Sequence, residues 1–211
     1  MRAKAYEFAE EVDRQIELLT RKEYLQKVGR GKILREELFP LSRLGLHLKR
    51  PGNEVLVEAF EDDGPSDGHI HISGFEERDF EIQITFADYN YAAALRDELL
   101  FDQGMVPGTG EIYRDKYSGK IVAKMASVDF DEHVRRISNA IIERITEKTL
   151  KFYSKSTVLL IAFEEYGIGG RYWWGKLFET LDADDEVNQK FRHIYLFNCW
   201  TNETHLYTSS D

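Results

Sequence analysis

With 211 residues, 42% of them hydrophobic and 31% charged, the chain is long enough for one sizeable core and too apolar for overall disorder. A formal net charge of -10 argues against a protein that coats duplex nucleic acid nonspecifically, because such binding neutralises many phosphates with Lys and Arg. Cys199 is the single cysteine, which rules out an intrachain disulfide and a thiolate metal cluster. Acids in MRAKAYEFAEEVDRQ stand where a signal peptide needs an apolar run, and no window approaches the ~20 apolar residues of a membrane span. The expected setting is a reducing cytoplasm, with no membrane partner.

Phe8, Val12, Ile16, Leu19 and Tyr24 recur at spacings of three to five, which predicts an amphipathic helix over 3–27, ended by Gly29 and Gly31. Leu34, Leu38, Leu41 and Leu44 predict a second helix over 32–46, interrupted at Pro40. Residues 21–50 are rich in Lys and Arg, whereas 54–81 are mostly acidic, so a basic segment adjoins an acidic one. The run EVLVEAF at 54–60 predicts a strand, followed by a loop of turn formers at 61–68. At 67–85, DGHIHISGFEERDFEIQIT alternates apolar and polar residues twice around a turn, which predicts a hairpin of strands 69–73 and 80–86.

YAAALRDELLF at 91–101 predicts a short helix with Asp88 or Asn90 as its cap, and 111–113 with 120–126 a second hairpin. The strongest helical pattern covers 129–153, where Val134, Ile137, Ile141, Ile145 and Phe152 form the core stripe. TVLLIAF at 157–163 is nearly continuous apolar sequence, as in a strand covered on both faces. A helix at 171–181 and a buried strand at 191–200 complete the order. Gly167-Ile168-Gly169-Gly170 lacks the Lys and Ser or Thr of a Walker loop and reads as a turn. Tyr172-Trp173-Trp174 reads as the anchor of the helix on the sheet.

The fold class expected is α/β, a mixed sheet flanked by helices in a single domain of 1–211, with an N-terminal helical arm at 1–31 and a core at 32–200. The strands at 54–60, 69–73 and 80–86 should form one antiparallel meander. Those at 157–163 and 192–199 should join the same sheet, with the long helix packed on it through Ile137, Ile141 and Ile145. Strand parity puts Ile70, Ile72, Phe80, Ile82 and Ile84 on one face, and His69, His71, Glu81, Gln83 and Thr85 on the other. The polar set should be partly buried, because the chain has helices enough for both faces.

Carboxylates on that face suit magnesium, which takes hard oxygen ligands and keeps several waters, so that two or three protein oxygens suffice. Glu81 and Gln83 face one way, Asp67 opens the preceding strand, and Glu58 on 54–60 is an alternative acid. His69-x-His71 with Glu76 is similar to the first motif of cupins. No later segment supplies the matching His, and the long helices do not suit a cupin barrel. Polar surface, or hydrogen bonding beside the acids, is the role expected of these histidines.

Pro65-Ser66-Asp67, thirteen intervening residues and Glu81-Ile82-Gln83 together resemble the PD-(D/E)XK signature of the restriction-endonuclease-like superfamily. The resemblance covers roughly residues 32–163, with the element order of helix, three-stranded meander, helix and further strand. It implies a metal-dependent nuclease acting on nucleic acid, with Mg as cofactor and Asp67, Glu81 and Glu58 as candidate metal ligands. Glu36 is a further auxiliary acid. Ser66 separates the Pro from the Asp, and Gln83 holds the place of the family's lysine. Glutamine carries no positive charge, so the cation must come from elsewhere, and Lys148 or Lys151 is the candidate. The alternative is a catalytically silent member of the same fold that binds a protein or a nucleic acid.

Overall fold

The computed structural model describes residues 1–60, 64–87, 91–106, 110–125, 129–151, 153–154, 156–165, 170–183, 191 and 193–207. The chain begins with strand β1 (Arg2–Lys4), helices α1 (Ala5–Glu17), α2 (Arg21–Gln26) and α3 (Arg30–Ile33), a π-helical turn at Leu34–Leu38, and α4 (Phe39–Leu48). The meander follows as β2 (Asn53–Ala59), β3 (Gly68–Gly74) and β4 (Arg78–Phe86). Then come α5 (Tyr91–Gln103), β5 (Ile112–Arg114), β6 (Ile121–Ala123), α6 (Phe130–Thr149), β7 (Thr157–Phe163), α7 (Arg171–Asp182), β8 (Ile194–Asn198) and β9 (Glu203–Tyr207).

Seven strands form one mixed sheet in the order β1-β2-β3-β4-β7-β8-β9. The meander is antiparallel, β4, β7 and β8 run parallel, and β9 returns antiparallel to β8. A parallel pair needs a long crossover, and α5, the β5-β6 hairpin and α6 together supply the one from β4 to β7. Every residue of β7 is buried. Its Val158, Leu160 and Ala162 join one apolar layer with Phe8, Val12, Leu41 and Leu44, while Leu159, Ile161 and Phe163 join a second with Ile137, Ile141, Ile145 and Leu177. The expected apolar face of the hairpin, Ile70, Ile72, Phe80, Ile82 and Ile84, lies in the first layer. Trp173 and Trp174 anchor α7 against Phe163, with ring centroids 5.8 and 5.9 Å away.

Where the chain departs from the periodic pattern, the reasons are local. The helix expected over 3–27 gives its first residues to β1, which pairs with β2, and breaks after α1 because Thr20 and Glu23 close a capping box that starts α2. The helix expected over 32–46 widens into the π-turn just before Pro40. Proline has no N–H for the carbonyl four residues back, and a π-turn absorbs such a defect. β9 continues from β8 through a turn with Asn202 in the left-handed region, φ 60. The caps Asp88 and Asn90, the stripe residue Phe152, and Gly167, Ile168 and Gly169 lie outside the described residues. Among the described residues no helix is long and apolar enough to cross a membrane.

Phe8 is fully buried between α1 and the sheet, whereas Leu18, just past the end of α1, is exposed. Phe8→Ala should lower the free energy of unfolding by about 3–5 kcal/mol in a denaturant titration. Leu18→Ala should change it by less than about 0.5 kcal/mol.

Candidate active site at the end of β3

The pairing of β3 with β4 ends at Gly68 opposite Ile82, where the backbone N–H of Asp67 donates to the carbonyl of Ile82 at 2.9 Å. β4 runs on to Phe86 with β7 as its only strand partner among the described residues. The edge that β3 leaves uncovered would strand the N–H of Ile84, and an unpaired buried amide is costly. Asp67 Oδ2 accepts from it at 2.6 Å and also accepts from Gln83 Nε2. The carboxylate therefore replaces a missing strand neighbour. Gly68 makes the turn fit, since a Cβ there would lie 2.7 Å from the carbonyl oxygen of Glu58.

Four further side chains bring charge or hydroxyl groups to Asp67. Burial pushes its carboxyl above the ordinary range, opposed by the Ile84 N–H and then by the ammonium groups of Lys148 and Lys151. Lys148 sits in the last turn of α6 and is pulled down by its own burial, with the Asp67 charge opposing. Glu37, on the π-turn, is raised by burial and next by the negative charge of Asp67. Tyr153 is raised by burial and by Asp67, and its buried hydroxyl has no hydrogen-bond partner among the described residues. The result is a carboxyl pair, an ammonium group and a phenol around one end of a strand.

Glu81 is held separately. Its Oε2 accepts from Ser154 Oγ at 2.7 Å and from Thr157 Oγ1 at 3.3 Å, and Thr157 is its register partner on β7. Gln83 lies between Glu81 and Asp67 in this arrangement and is only 8% exposed. Glu58 faces His69 across the β2-β3 ladder, pairs with Arg2 at 3.8 Å, and is not among the charges acting on Asp67. Glu36 belongs to another cluster, in which burial raises it and Lys27, Lys32, Glu164 and Arg35 surround it.

The two histidines clamp an acid. His69 Nε2 lies 2.7 Å from Asp79 Oδ1, and His71 Nδ1 lies 3.0 Å from Asp79 Oδ2, so both imidazoles are engaged on one carboxylate. The hydrogen bond to His71, together with the charges of both rings, holds Asp79 below the usual carboxylate range. Glu76 instead pairs with Arg78 at 2.7 Å. The polar face is thus graded along its length: the Asp79 side chain is 61% exposed, whereas Gln83 is buried near the end of α6. Partial burial is what strand parity and the helix count lead one to expect.

Among the described residues no group of three or more His, Cys, Asp or Glu side chains is arranged to hold a metal ion. The donors at hand are the hard oxygens of Asp67 and Glu81. Hard oxygens are the donor type that magnesium takes, whereas a closed zinc site draws on nitrogen and sulfur donors. Ser154 and Glu37 enter the site unannounced by any motif, because long-range register and the π-turn bring them there. Comparison with models of protein families, with curated proteins and with solved structures yields no match for this chain.

Carbon-detected NMR of the side-chain carboxyls, across roughly pH 3 to 8, should find Asp67 titrating above the ordinary aspartate range. Lys148→Met removes a positive charge that favours the carboxylate, so it should move that titration further up. Asp67→Asn should bring Glu37 down toward its ordinary range, since a neighbouring negative charge is removed.

Proposed function

We propose that this protein is a nuclease-like phosphodiesterase that works with a divalent metal ion, as a degenerate member of the restriction-endonuclease-like superfamily. The observation that carries the reading is the convergence of Glu37, Gln83 and Lys148 on Asp67 where β3 ends beside β4. The order α4, meander, α6, β7 also agrees with the helix, meander, helix and strand of that superfamily. Asp67 and Glu81 would hold magnesium, which supplies an acidified water and positive charge for the phosphoryl oxygens when bound.

The chain's own groups have separable roles. Gln83 donates to Asp67 Oδ2 and fixes the carboxylate, leaving Oδ1 without a hydrogen bond among the described residues. Lys148 would bring the charge that Gln83 cannot and, closing no ion pair with Asp67 among the described residues, would offer its ammonium to a phosphate. Ser154 and Thr157 orient Glu81. Nucleic acid is the substrate class, and a reducing cytoplasm is the compartment that suits the lone thiol of Cys199.

A second reading rests on a specific observation. Both carboxylates are already held by side-chain donors, Asp67 by Gln83 and Glu81 by Ser154, which suits a silent member of the fold that binds a protein or a nucleic acid. A cleavage assay with Mg or Mn on single-stranded, duplex and structured nucleic acids separates the two. The nuclease reading expects metal-dependent cleavage that falls at least ~100-fold in Glu81→Ala and Asp67→Ala. Calorimetry should show Mg binding lost in Glu81→Gln with the unfolding transition unchanged. Absence of cleavage and of metal binding in the wild type leaves the silent-binder reading.

A further inference from the structure

A cavity of about 830 Å³ opens at the carboxyl ends of β7 and β8, away from Asp67, and is lined by α1, α2, the π-turn and α5. Crevices outside the carboxyl ends of parallel strands are where open α/β sheets take their ligands, and this volume matches that of small-molecule sites. Tyr24, Phe39, Leu100, Val106 and Trp200 give it apolar and aromatic walls. Trp200, 60% exposed, stands at its edge.

Most charges in the wall are matched. Arg35 donates to Glu164 and to the carbonyl of Tyr24, Arg43 pairs with Asp13 at 2.5 Å, and Arg96 donates to the carbonyl of Gly110 at 2.7 Å. Glu17 is unpaired among the described residues but exposed, so of the buried charges Asp97, on α5, is the exception. It is only 8% exposed and lines the cavity, yet it accepts no hydrogen bond and closes no ion pair among the described residues. Lys27 and Arg35 attract the carboxylate from a distance, but its desolvation is not returned by any hydrogen bond among the described residues, so a cationic ligand in the cavity would supply what the chain does not.

We infer that the cavity binds a small organic cation, a protonated amine on an apolar body, with the ammonium on Asp97 and the body between Tyr24, Leu100 and Trp200. A phosphate or carboxylate ligand is disfavoured, because Asp13, Glu17, Asp97 and Glu164 outnumber Arg35 and Arg96 in the wall. Burial pushes Asp97 up to about 6, with Lys27 and Arg35 pulling it down and Glu164 and Glu36 pushing it up. The carboxylate form, which an ammonium needs, is therefore present above that pH and lost below it.

Neither Asp67 nor Glu81 lines this cavity, and its test is binding rather than cleavage. Titrate the full chain with phenethylammonium, phenethyl alcohol and phenylacetate, which share one apolar body, by calorimetry at about pH 7.5. The ammonium should bind saturably at one site, at least ~10-fold tighter than the alcohol, since a charge-assisted bond is lost with the charge. Asp97→Asn should bring the ammonium to the affinity of the alcohol. In the ligand-free protein that variant should also raise the melting temperature at about pH 8 by a few degrees, because the wild-type folded pKa lies above the unfolded one and the cost grows as pH rises through it. Trp200→Ala, at an exposed position, should weaken both ligands and guards against a folding defect in the first variant. No saturable binding of the ammonium, equal binding of the alcohol, or unchanged affinity in Asp97→Asn overturns the inference.

Discussion

A strand buried on both faces obliges a chain to build two apolar layers, and β7 is that strand. Its even-numbered residues need α1 and α4, and its odd-numbered residues need α6 and α7. Parallel neighbours on either side, β4 and β8, follow because a strand of this kind cannot stand at an edge. Their common direction sets their carboxyl ends side by side, and Glu164, Glu165 and Asn198 gather there. Glu165 is tied to His133 of α6 at 2.5 Å, and its backbone N–H donates to Asn198 Oδ1 at 3.2 Å, so this corner locks the long helix to the sheet.

β4 mediates between the two halves of the sheet, and its position explains the polar face. Its even residues continue the buried layer of β7, while its odd residues face the side on which α6 covers β7. Cover is greatest where the end of α6 and the segment after it meet β4, which is where Gln83 is buried and Glu81 finds Ser154. Farther along, at His71 and Asp79, the same face is open to water. One alternating pattern therefore yields both an ordinary solvated ladder and a desolvated acid. The difference lies in which helix end passes above.

Much of the architecture was legible because it follows from periods of two and of about 3.6: the meander, the all-apolar strand, and the stripe of Ile137, Ile141 and Ile145. The edge strands β1 and β9 escaped because three to five half-exposed residues carry too little pattern. Thr20 and Glu23 did carry a signal, but Leu19 and Tyr24 continued the helical spacing across the break and hid it. At the site, Asp67, Gln83 and Lys148 could be nominated from a motif and its missing lysine. Glu37 could not be told from Glu36, since which of two adjacent acids faces Asp67 depends on the rotation of the π-turn, which no periodic pattern in the sequence announces. Ser154 depends on a register between segments that only the folded sheet defines.

Asp67 and Asp97 show two ways of holding an acid out of water. Asp67 receives a backbone N–H and an amide from Gln83, so part of its desolvation is returned by hydrogen bonds and its carboxylate serves the sheet even with nothing bound. Asp97 receives neither, although Lys27 and Arg35 are near enough to attract it. Both of those cations lie against Glu164, Lys27 at 3.5 Å and Arg35 in a direct hydrogen bond, so their charge is already largely balanced. An Asn at position 97 would fill nearly the same space without the charge. The burial that raises Asp97 is compensated less than that of Asp67, and the difference lies in hydrogen bonds that the chain gives to one acid and not to the other.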